Sequence, residues 1–151
     1  MELRRAREED VPLLARMLRA SYDAMTYVPR LHTPEEDRGY LGGFIVAGHE
    51  VWVAEDDGRV VGFAAVSDDE LLQIHVEADA QNRGIGSALF RHATERRPQG
   101  FVLWTFQKNE GARRFYERHG CRVVQMTDGA GNEEREPDIQ FEWRPPAHAL
   151  P

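Results

Sequence analysis

The apolar positions of the chain change from a helical to a strand period part-way along its length. From Glu9 to Met25, the side chains of Val11, Leu14, Leu18 and Tyr22 fall on one helical stripe. After residue 49 the apolar residues cluster in short runs with the two-residue repeat of strands. The pattern therefore predicts a helical N-terminal region followed by a region rich in strands.

Turn and cap residues set the limits of these elements. Thr33-Pro34-Glu35-Glu36 has the form of a capping box with proline at the first helical position. Asp56-Asp57-Gly58 predicts a hairpin turn, and Gly120 predicts a left-handed helix C-cap. The predicted strands cover residues 2–5, 50–55, 59–66, 70–76, 101–106, 121–126 and 138–143. The predicted helices cover residues 9–25, 33–46, 84–96 and 109–119.

This order of elements predicts a mixed α/β (α+β) fold. About seven strands form a central, mostly antiparallel sheet, and four helices flank it. A chain of 151 residues is most simply one domain with one proper core. We therefore expect a single domain over residues 1–144, followed by a loose C-terminal tail over residues 145–151.

Composition narrows the function classes. No apolar stretch approaches the length needed to cross a bilayer, and the N-terminus lacks the apolar core of a signal peptide. The single cysteine fits a reducing compartment, so we expect a cytoplasmic protein without a membrane partner. A formal charge of −7 argues against a nucleic-acid partner. The sequence holds no Cys/His cluster typical of a metal site, so no metal is expected.

A glycine-bearing segment, Gln81 to Ser87, lies where a strand leads into a helix. The apolar run before it ends at Val76, and a helical pattern follows it. The first N–H groups of a helix have no intrahelical acceptor, and the helix dipole adds partial positive charge there. Glycine lets a phosphate approach such a backbone closely. The segment therefore predicts a pyrophosphate site, although its spacing matches neither the dinucleotide fingerprint nor the P-loop.

The spacing Gln-x-x-Gly-x-Gly resembles the acetyl-CoA loop of the GNAT superfamily of N-acetyltransferases. A second segment, Asn109 to Gly120, is similar to the other cofactor segment of that family. It has an asparagine, an alanine three positions later at Ala112, and Phe115-Tyr116 close to the final glycine. The resemblance is sharp from about residue 70 to residue 123. It implies the GNAT fold, with acetyl-CoA as the co-substrate.

The resemblance assigns cofactor contacts to both segments and to the strand before the first. Backbone amides of the first segment would bind the pyrophosphate of CoA, and Arg83 would add charge-assisted contacts. The pantetheine arm would run along the end of the preceding strand, where a backbone N–H faces the thioester oxygen. The implied cofactor-binding residues are Ile74, His75, Val76, Gln81, Asn82, Arg83, Gly84, Ile85, Gly86, Ser87, Asn109, Ala112, Phe115 and Tyr116.

Two catalytic residues follow from the same resemblance, each with a competing interpretation. Tyr116 would donate a proton to the departing thiolate, but its helical spacing also fits a core aromatic residue. Glu70, eleven residues before Gln81, would be the general base, but it belongs to an acidic turn that is equally consistent with a solvated loop. His75 is a reserve base, with a structural strand residue as the simpler interpretation. Asn109 fits a helix N-cap as well as an amide contact.

The predicted function is transfer of an acetyl group from acetyl-CoA to a primary amine, directly within a ternary complex. The acceptor stays open between a small-molecule amine and a peptide or protein amine. A catalytically silent CoA-binding sensor or interaction module of the same fold is the first alternative, and a nucleotide- or phosphate-binding regulator is the second. Homodimers are common among relatives, so a homodimer is consistent with the resemblance.

Overall fold

A computed structural model describes residues 1–146. Most of the tail predicted for residues 145–151 therefore lies outside the described residues, and the domain limit at residue 144 stays a prediction. The strands are β1 (Glu2–Arg5), β2 (Glu50–Asp56), β3 (Arg59–Val66), β4 (Leu71–Val76), β5 (Phe101–Phe106), β6 (Arg122–Met126) and β7 (Asp138–Trp143). The helices are α1 (Val11–Ala24), α2 (Pro34–Val46), α3 (Ile85–Arg96) and α4 (Glu110–Arg118).

The caps predicted from the sequence are present. The Thr33 hydroxyl accepts a hydrogen bond from the Glu36 N–H at 3.1 Å, and the Glu36 carboxylate accepts one from the Thr33 N–H at 3.0 Å. Gly120 has φ +85°, the left-handed conformation that ends α4. The predicted elements are confirmed, with limits that differ by no more than two residues. A short 3-10 turn at Glu8–Asp10 takes up the first residues predicted for α1.

The seven strands form two sheets rather than one continuous sheet. Antiparallel pairing gives the order β1-β2-β3-β4 in one sheet and β5-β7-β6 in the other. A single parallel bridge between Glu70 and Val102 connects the two sheets, beside a hydrogen bond from the Val102 N–H to the Asp69 carbonyl at 2.9 Å. The mixed, mainly antiparallel architecture is confirmed, and the division into two sheets is a correction to the expected single sheet.

A β-bulge explains why the two sheets separate. Leu71 pairs with Val66 and Gln73 pairs with Ala65, so Leu72 is the extra residue on β4. A bulge bends its strand and increases the local twist. Beyond the bridge at Glu70, β4 therefore diverges from β5 and leaves an open space between them.

Two hydrophobic cores lie on opposite faces of the four-stranded sheet. One packs α3 and α4 against the strands and contains Leu89, Phe90 and Phe141. The other packs α1 and α2 and contains Leu14 and Phe63. Full burial of each such side chain contributes about 1.5–3 kcal/mol, so these cores fix the helices on either side of the open space. Among residues 1–146, every helix is too short or too polar to cross a membrane.

Candidate functional site

The diverging ends of β4 and β5 enclose the main cleft, a cavity of about 1110 Å³. Its walls are residues 71–76 of β4, residues 104–106 of β5, and the first turns of α4. The C-terminal end of α1 covers one side through Ser21 and Tyr22. The cleft therefore lies where the bulge in β4 separates the sheets.

The edge of β4 that faces the cleft offers backbone hydrogen-bonding groups. The Glu77 N–H donates to the Val61 carbonyl of β3 at 2.8 Å. Because the backbone groups of successive residues point to opposite sides of a strand, those of Ile74 and Val76 face away from β3. The Gln81 side chain donates to the Val76 carbonyl from that side at 3.3 Å. An extended molecule therefore has donors and acceptors along this edge.

The segment from Gln81 to Ser87 forms the predicted anion site at the start of α3. Gly84 has φ +82° and Asn82 has φ +63°, and the first helical hydrogen bond runs from the Ala88 N–H to the Gly84 carbonyl at 3.0 Å. Gly84 has no side chain that caps the helix, so the N–H groups of residues 85–87 have no helical or capping acceptor. A Cβ atom at Gly84 would meet only open space. This helix start can therefore bind an anion.

The two predicted cofactor segments are in direct contact. A Cβ atom at Gly86 would lie 3.4 Å from the Phe115 ring, so glycine brings α3 close to α4. The Ser87 hydroxyl is 3.0 Å from the Nε2 atom of His119, whose Nδ1 atom is 2.8 Å from the Phe115 carbonyl. Since a carbonyl only accepts, Nδ1 carries the proton that it donates. His119 is not among the site residues predicted from the sequence, because its contact with Ser87 depends on how α3 and α4 pack.

Arg83 is held by a neighbouring hairpin rather than directed into open space. Its guanidinium group pairs with the Asp56 carboxylate at the turn between β2 and β3. The predicted contact between Arg83 and the pyrophosphate of CoA stays a prediction. For this contact, the Arg83 guanidinium group must either bind the phosphate and the Asp56 carboxylate together, or release the carboxylate and bind the phosphate in its place.

Tyr116 is both a core residue and a wall of the cleft. Its ring packs against Phe90 and Phe141, and only 7% of the residue is exposed. Burial raises the pKa of the Tyr116 hydroxyl above its usual value, so the phenol is protonated at neutral pH. No residue among 1–146 shifts that pKa through a hydrogen bond. The two interpretations made from the sequence are therefore compatible, and the role as general acid stays a prediction.

Asn109 also combines both of its predicted properties. Its side-chain oxygen accepts a hydrogen bond from the Ala112 N–H at 3.2 Å and caps α4. The residue also lines the main cleft together with Ala112. The N-cap is confirmed, and the contact with the amides of CoA stays a prediction.

Glu70 lies apart from the cleft. It forms the bridge at which the two sheets meet, and its backbone bonds to Ser67 fix the turn before β4. Burial, and then the charge of Asp69, raise the pKa of the Glu70 carboxyl above its usual value. Glu70 lines neither of the two cavities described here. Its role as general base stays a prediction that requires proton transfer through water.

His75 is neutral and bonded through both of its ring nitrogens. Its Nε2 atom is 2.6 Å from the Gln73 side-chain oxygen, and its Nδ1 atom is 2.9 Å from the Ser21 hydroxyl. Burial lowers the pKa of His75 to about 4. The Gln73 amide nitrogen donates to the Tyr40 hydroxyl at 3.3 Å, so it is the amide oxygen that faces His75. Because an oxygen of this kind only accepts, the Nε2 atom of His75 carries the proton in this hydrogen bond. These contacts favour the structural interpretation of His75 over the reserve base.

A second cavity, of about 550 Å³, adjoins the cleft. It lies between α1, α2, the residues 29–32 that connect them, and the loop between β6 and β7. This acceptor-side cavity shares Tyr22, Gln73 and Glu134 with the main cleft. A ligand in the cavity would therefore have access to the cleft.

Comparison with known proteins matches residues 47–122, half of the chain, to the family model described as the acetyltransferase (GNAT) domain. The chain belongs to the GNAT family of acetyltransferases. The matched range contains the predicted anion site at the start of α3 and all of α4. The fold and the family inferred from the sequence are therefore confirmed.

Curated relatives match part of the chain. The peptidyl-lysine N-acetyltransferase YiaC of Escherichia coli (strain K12) is 35% identical over 80 residues, which cover 52% of this chain and 54% of the relative. A Mycobacterium tuberculosis (strain ATCC 25618 / H37Rv) protein named "Probable N-acetyltransferase Rv2775" is 30% identical over 106 residues, which cover 65% of this chain and 53% of the relative. The chain matches about half the length of each.

Solved structures share the whole fold. The protein yncA of Salmonella typhimurium, solved with its cofactor acetyl-CoA, has a TM-score of 0.75 and 19% identity, with 100% of this chain and 97% of that chain covered. The apo form of YjaB from Escherichia coli has a TM-score of 0.74 and 22% identity, with 96% and 98% covered. Because both identities are low, the similarity to these two structures shows the fold alone.

Proposed function

We propose that the chain is an N-acetyltransferase that moves an acetyl group from acetyl-CoA to a primary amine in a ternary complex. One observation carries this proposal: a single cleft is lined by an open strand edge, by a protonated tyrosine, and by Gln81, the first residue of the segment that leads to a helix start suited to anions. The presence of acetyl-CoA in the yncA structure and the peptidyl-lysine specificity in the name of YiaC support the two substrates.

The residues of the cleft divide the proposed chemistry among them. The N–H groups of residues 85–87 and the β4 edge bind and align the coenzyme, so the thioester lies beside Ile74 and Val76. The amine nitrogen attacks the carbonyl carbon, a C–N bond forms and the C–S bond breaks. The Tyr116 hydroxyl gives its proton to the departing sulfur. The proton lost by the amine leaves through water, by way of Glu70 in the predicted scheme.

The ammonium group of the acceptor must lose a proton before its nitrogen can attack the thioester. An alkylammonium has a pKa of about 10.4, so only a minor fraction is a free amine at neutral pH. The neutral His75 ring is already hydrogen-bonded, which leaves Glu70 as the predicted acceptor of that proton. Among residues 1–146 there is no group of three or more potential ligands placed to hold a metal ion, and the proposed scheme assigns no step to a metal.

A turnover screen tests the proposal. Acetyl-CoA is mixed with the protein and, in turn, with a small alkylamine, an amino acid, a peptide with a free N-terminus and a lysine-containing peptide, and release of the free thiol is followed. We expect amine-dependent thiol release and an acetylated product detected by mass spectrometry. Coenzyme binding without product from any amine class would instead favour the silent CoA-binding sensor.

A further inference from the structure

The acceptor-side cavity opens into the main cleft at three side chains. Tyr22 of α1, Gln73 of β4 and Glu134 of the loop between β6 and β7 line both spaces. Gln73 is fixed there by its hydrogen bonds to His75 and Tyr40. A molecule that enters through the acceptor-side cavity therefore passes Glu134 before it reaches the end of β4.

The basic groups of the acceptor-side cavity are already paired. Arg19 binds the Asp37 carboxylate at 2.8 Å. Arg30 binds the Asp23 carboxylate at 3.0 Å and also donates to the Arg19 carbonyl. The positive charge of each of the two guanidinium groups is thus already balanced by one aspartate.

The acidic groups are also paired, with the exception of Glu134. His32 lies 2.8 Å from the Glu133 carboxylate and 3.5 Å from that of Glu36. The Glu134 carboxylate forms no ion pair within 4.0 Å among residues 1–146; burial raises its pKa, while its own backbone N–H and the charge of His32 oppose that rise. The side chain is half-buried, and its negative charge helps to raise the pKa of Tyr22 to about 12. A half-buried carboxylate without a partner is costly unless a cation binds there.

The rest of the cavity wall is suited to an aliphatic chain. Leu18 and Leu31 contribute apolar side chains, and the rings of Tyr22 and Tyr40 contribute apolar faces. Contact with such surfaces stabilises a methylene chain because it removes the chain from water. The cavity thus offers an apolar passage that ends at one negative charge.

We propose that Glu134 binds the ammonium group of the acceptor, and that the acceptor is a primary alkylamine without a carboxylate beside its amine. This inference rests on the proposed function and names the substrate class of the same site. A carboxylate beside the amine would lie against Glu134, and the two arginines of the acceptor-side cavity, Arg19 and Arg30, are already paired with aspartates. Such a carboxylate would therefore weaken binding.

A binding experiment tests the role of Glu134 without requiring turnover. Pentylamine and 1-pentanol have the same alkyl chain and differ in charge, and their affinities for the protein are measured by ligand-observed NMR titration. A charge-assisted contact stabilises by about 1.5–3 kcal/mol, so we expect Glu134→Gln to weaken pentylamine binding about tenfold or more and to leave 1-pentanol binding unchanged. Equal affinity of the wild type for the two probes would overturn the proposal.

Glu35→Gln provides the control for loss of one negative charge. Glu35 is exposed in the first turn of α2 and does not line the cavity. We expect this variant to bind pentylamine as the wild type does. If the Glu35 and Glu134 variants lose affinity equally, the effect is general electrostatics and the proposal is wrong.

A turnover experiment then tests the substrate class. Norleucine is pentylamine with a carboxylate beside the amine, so the pair isolates that group. We expect the wild type to acetylate pentylamine in preference to norleucine, and Glu134→Gln to reduce the preference. An unchanged preference would contradict the assignment. If no amine is acetylated but the binding results hold, the proposed function fails while Glu134 remains an ammonium-binding residue.

Discussion

The proposed coenzyme side and the proposed acceptor side of the cleft are built in different ways. On the coenzyme side, two short segments supply backbone groups, and residues close in sequence fix them, as Asn109 does for α4. On the acceptor side, the contacts join distant parts of the chain, and His32 and Glu133 are 101 positions apart. Local geometry thus determines the first surface, whereas tertiary assembly determines the second.

The two sides also differ in what stabilises them. Leu89 and Phe90, both buried, anchor α3 beneath the coenzyme side. The loop between β6 and β7 contacts the α1–α2 connection through the exposed His32 and Glu133 side chains. Exposed ion pairs contribute little to stability, so we expect this contact to open more easily than the packing of α3.

The largest effect is expected from Tyr116→Phe on the coenzyme side. Removal of a general acid lowers kcat by about 10²–10⁴-fold, while the affinity for acetyl-CoA stays within about twofold because the aromatic ring still packs in the core. Steady-state kinetics and a coenzyme titration measure the two quantities.

Tyr27→Phe is the matched control for Tyr116→Phe. Tyr27 also lines the cleft, and its buried hydroxyl has no hydrogen-bond partner among residues 1–146. We expect this variant to keep its kcat. Equal losses in both variants would mean that removal of any cleft hydroxyl, rather than of the Tyr116 acid, slows the reaction.

The next largest effect concerns the backbone at the start of α3. Gly84→Ala places a Cβ atom on a left-handed residue and costs about 1–2 kcal/mol. Thermal unfolding should show a lower Tm, and acetyl-CoA should bind more weakly. Gly39→Ala, at an exposed position inside α2 with an unstrained backbone, should instead raise stability by about 0.5–1 kcal/mol. Equal changes in Tm would show that Gly84 is not constrained.

A smaller effect would reveal whether Arg83 takes part in coenzyme binding. Asp56→Asn removes the charge that holds the Arg83 guanidinium group. If Arg83 binds the pyrophosphate, loss of the Asp56 charge leaves its guanidinium group free for the phosphate. The affinity for acetyl-CoA should then increase by about threefold to tenfold, as expected for one charge-assisted contact. Arg83→Gln in the Asp56→Asn background should cancel the gain. Unchanged affinity in Asp56→Asn would exclude competition between Asp56 and the coenzyme.

The smallest effect is a pH dependence confined to the acceptor side. The hydrogen bond and charge of Glu133, followed by those of Glu36, raise the pKa of His32 above its usual value. The attraction is therefore complete below the unfolded-state pKa of His32 and is lost as pH rises through the raised pKa. Exposed pairs contribute little to stability, so tryptic cleavage after Arg135 in the loop should accelerate by no more than about fivefold over that range.

His32→Gln is the reference at each pH, because the activity of trypsin also varies with pH. The cleavage rate of this variant relative to wild type should be greatest at low pH and approach unity at high pH. A constant ratio would show that His32 does not hold the loop.

The sequence predicted the local features and missed the long-range ones, and the reason is physical. Gly84, Asn109 and Gly120 act within a few residues of themselves, so spacing alone identified them. The bulge at Leu72 depends on the pairing of β4 with β3, and no residue type marks it. The division into two sheets was therefore not predicted.

Site residues show the same limit. Glu70 was assigned from a sequence offset, yet its distance from the cleft depends on where the two sheets join. The contact between His119 and Ser87 requires α3 and α4 to be adjacent. Glu134 is one of several acidic residues in its loop, and only the position of the loop beside Tyr22 distinguishes it.

Cys121 gives the protein a built-in reporter of ligand binding. It is the single cysteine of the chain, it is buried directly after α4, and burial raises its pKa to about 12. A thiol reagent therefore reacts with it only when the junction of α4 and β6 opens. Because a ligand that binds the closed form slows such opening, labelling rates measure occupancy of the cleft even with compounds that undergo no reaction.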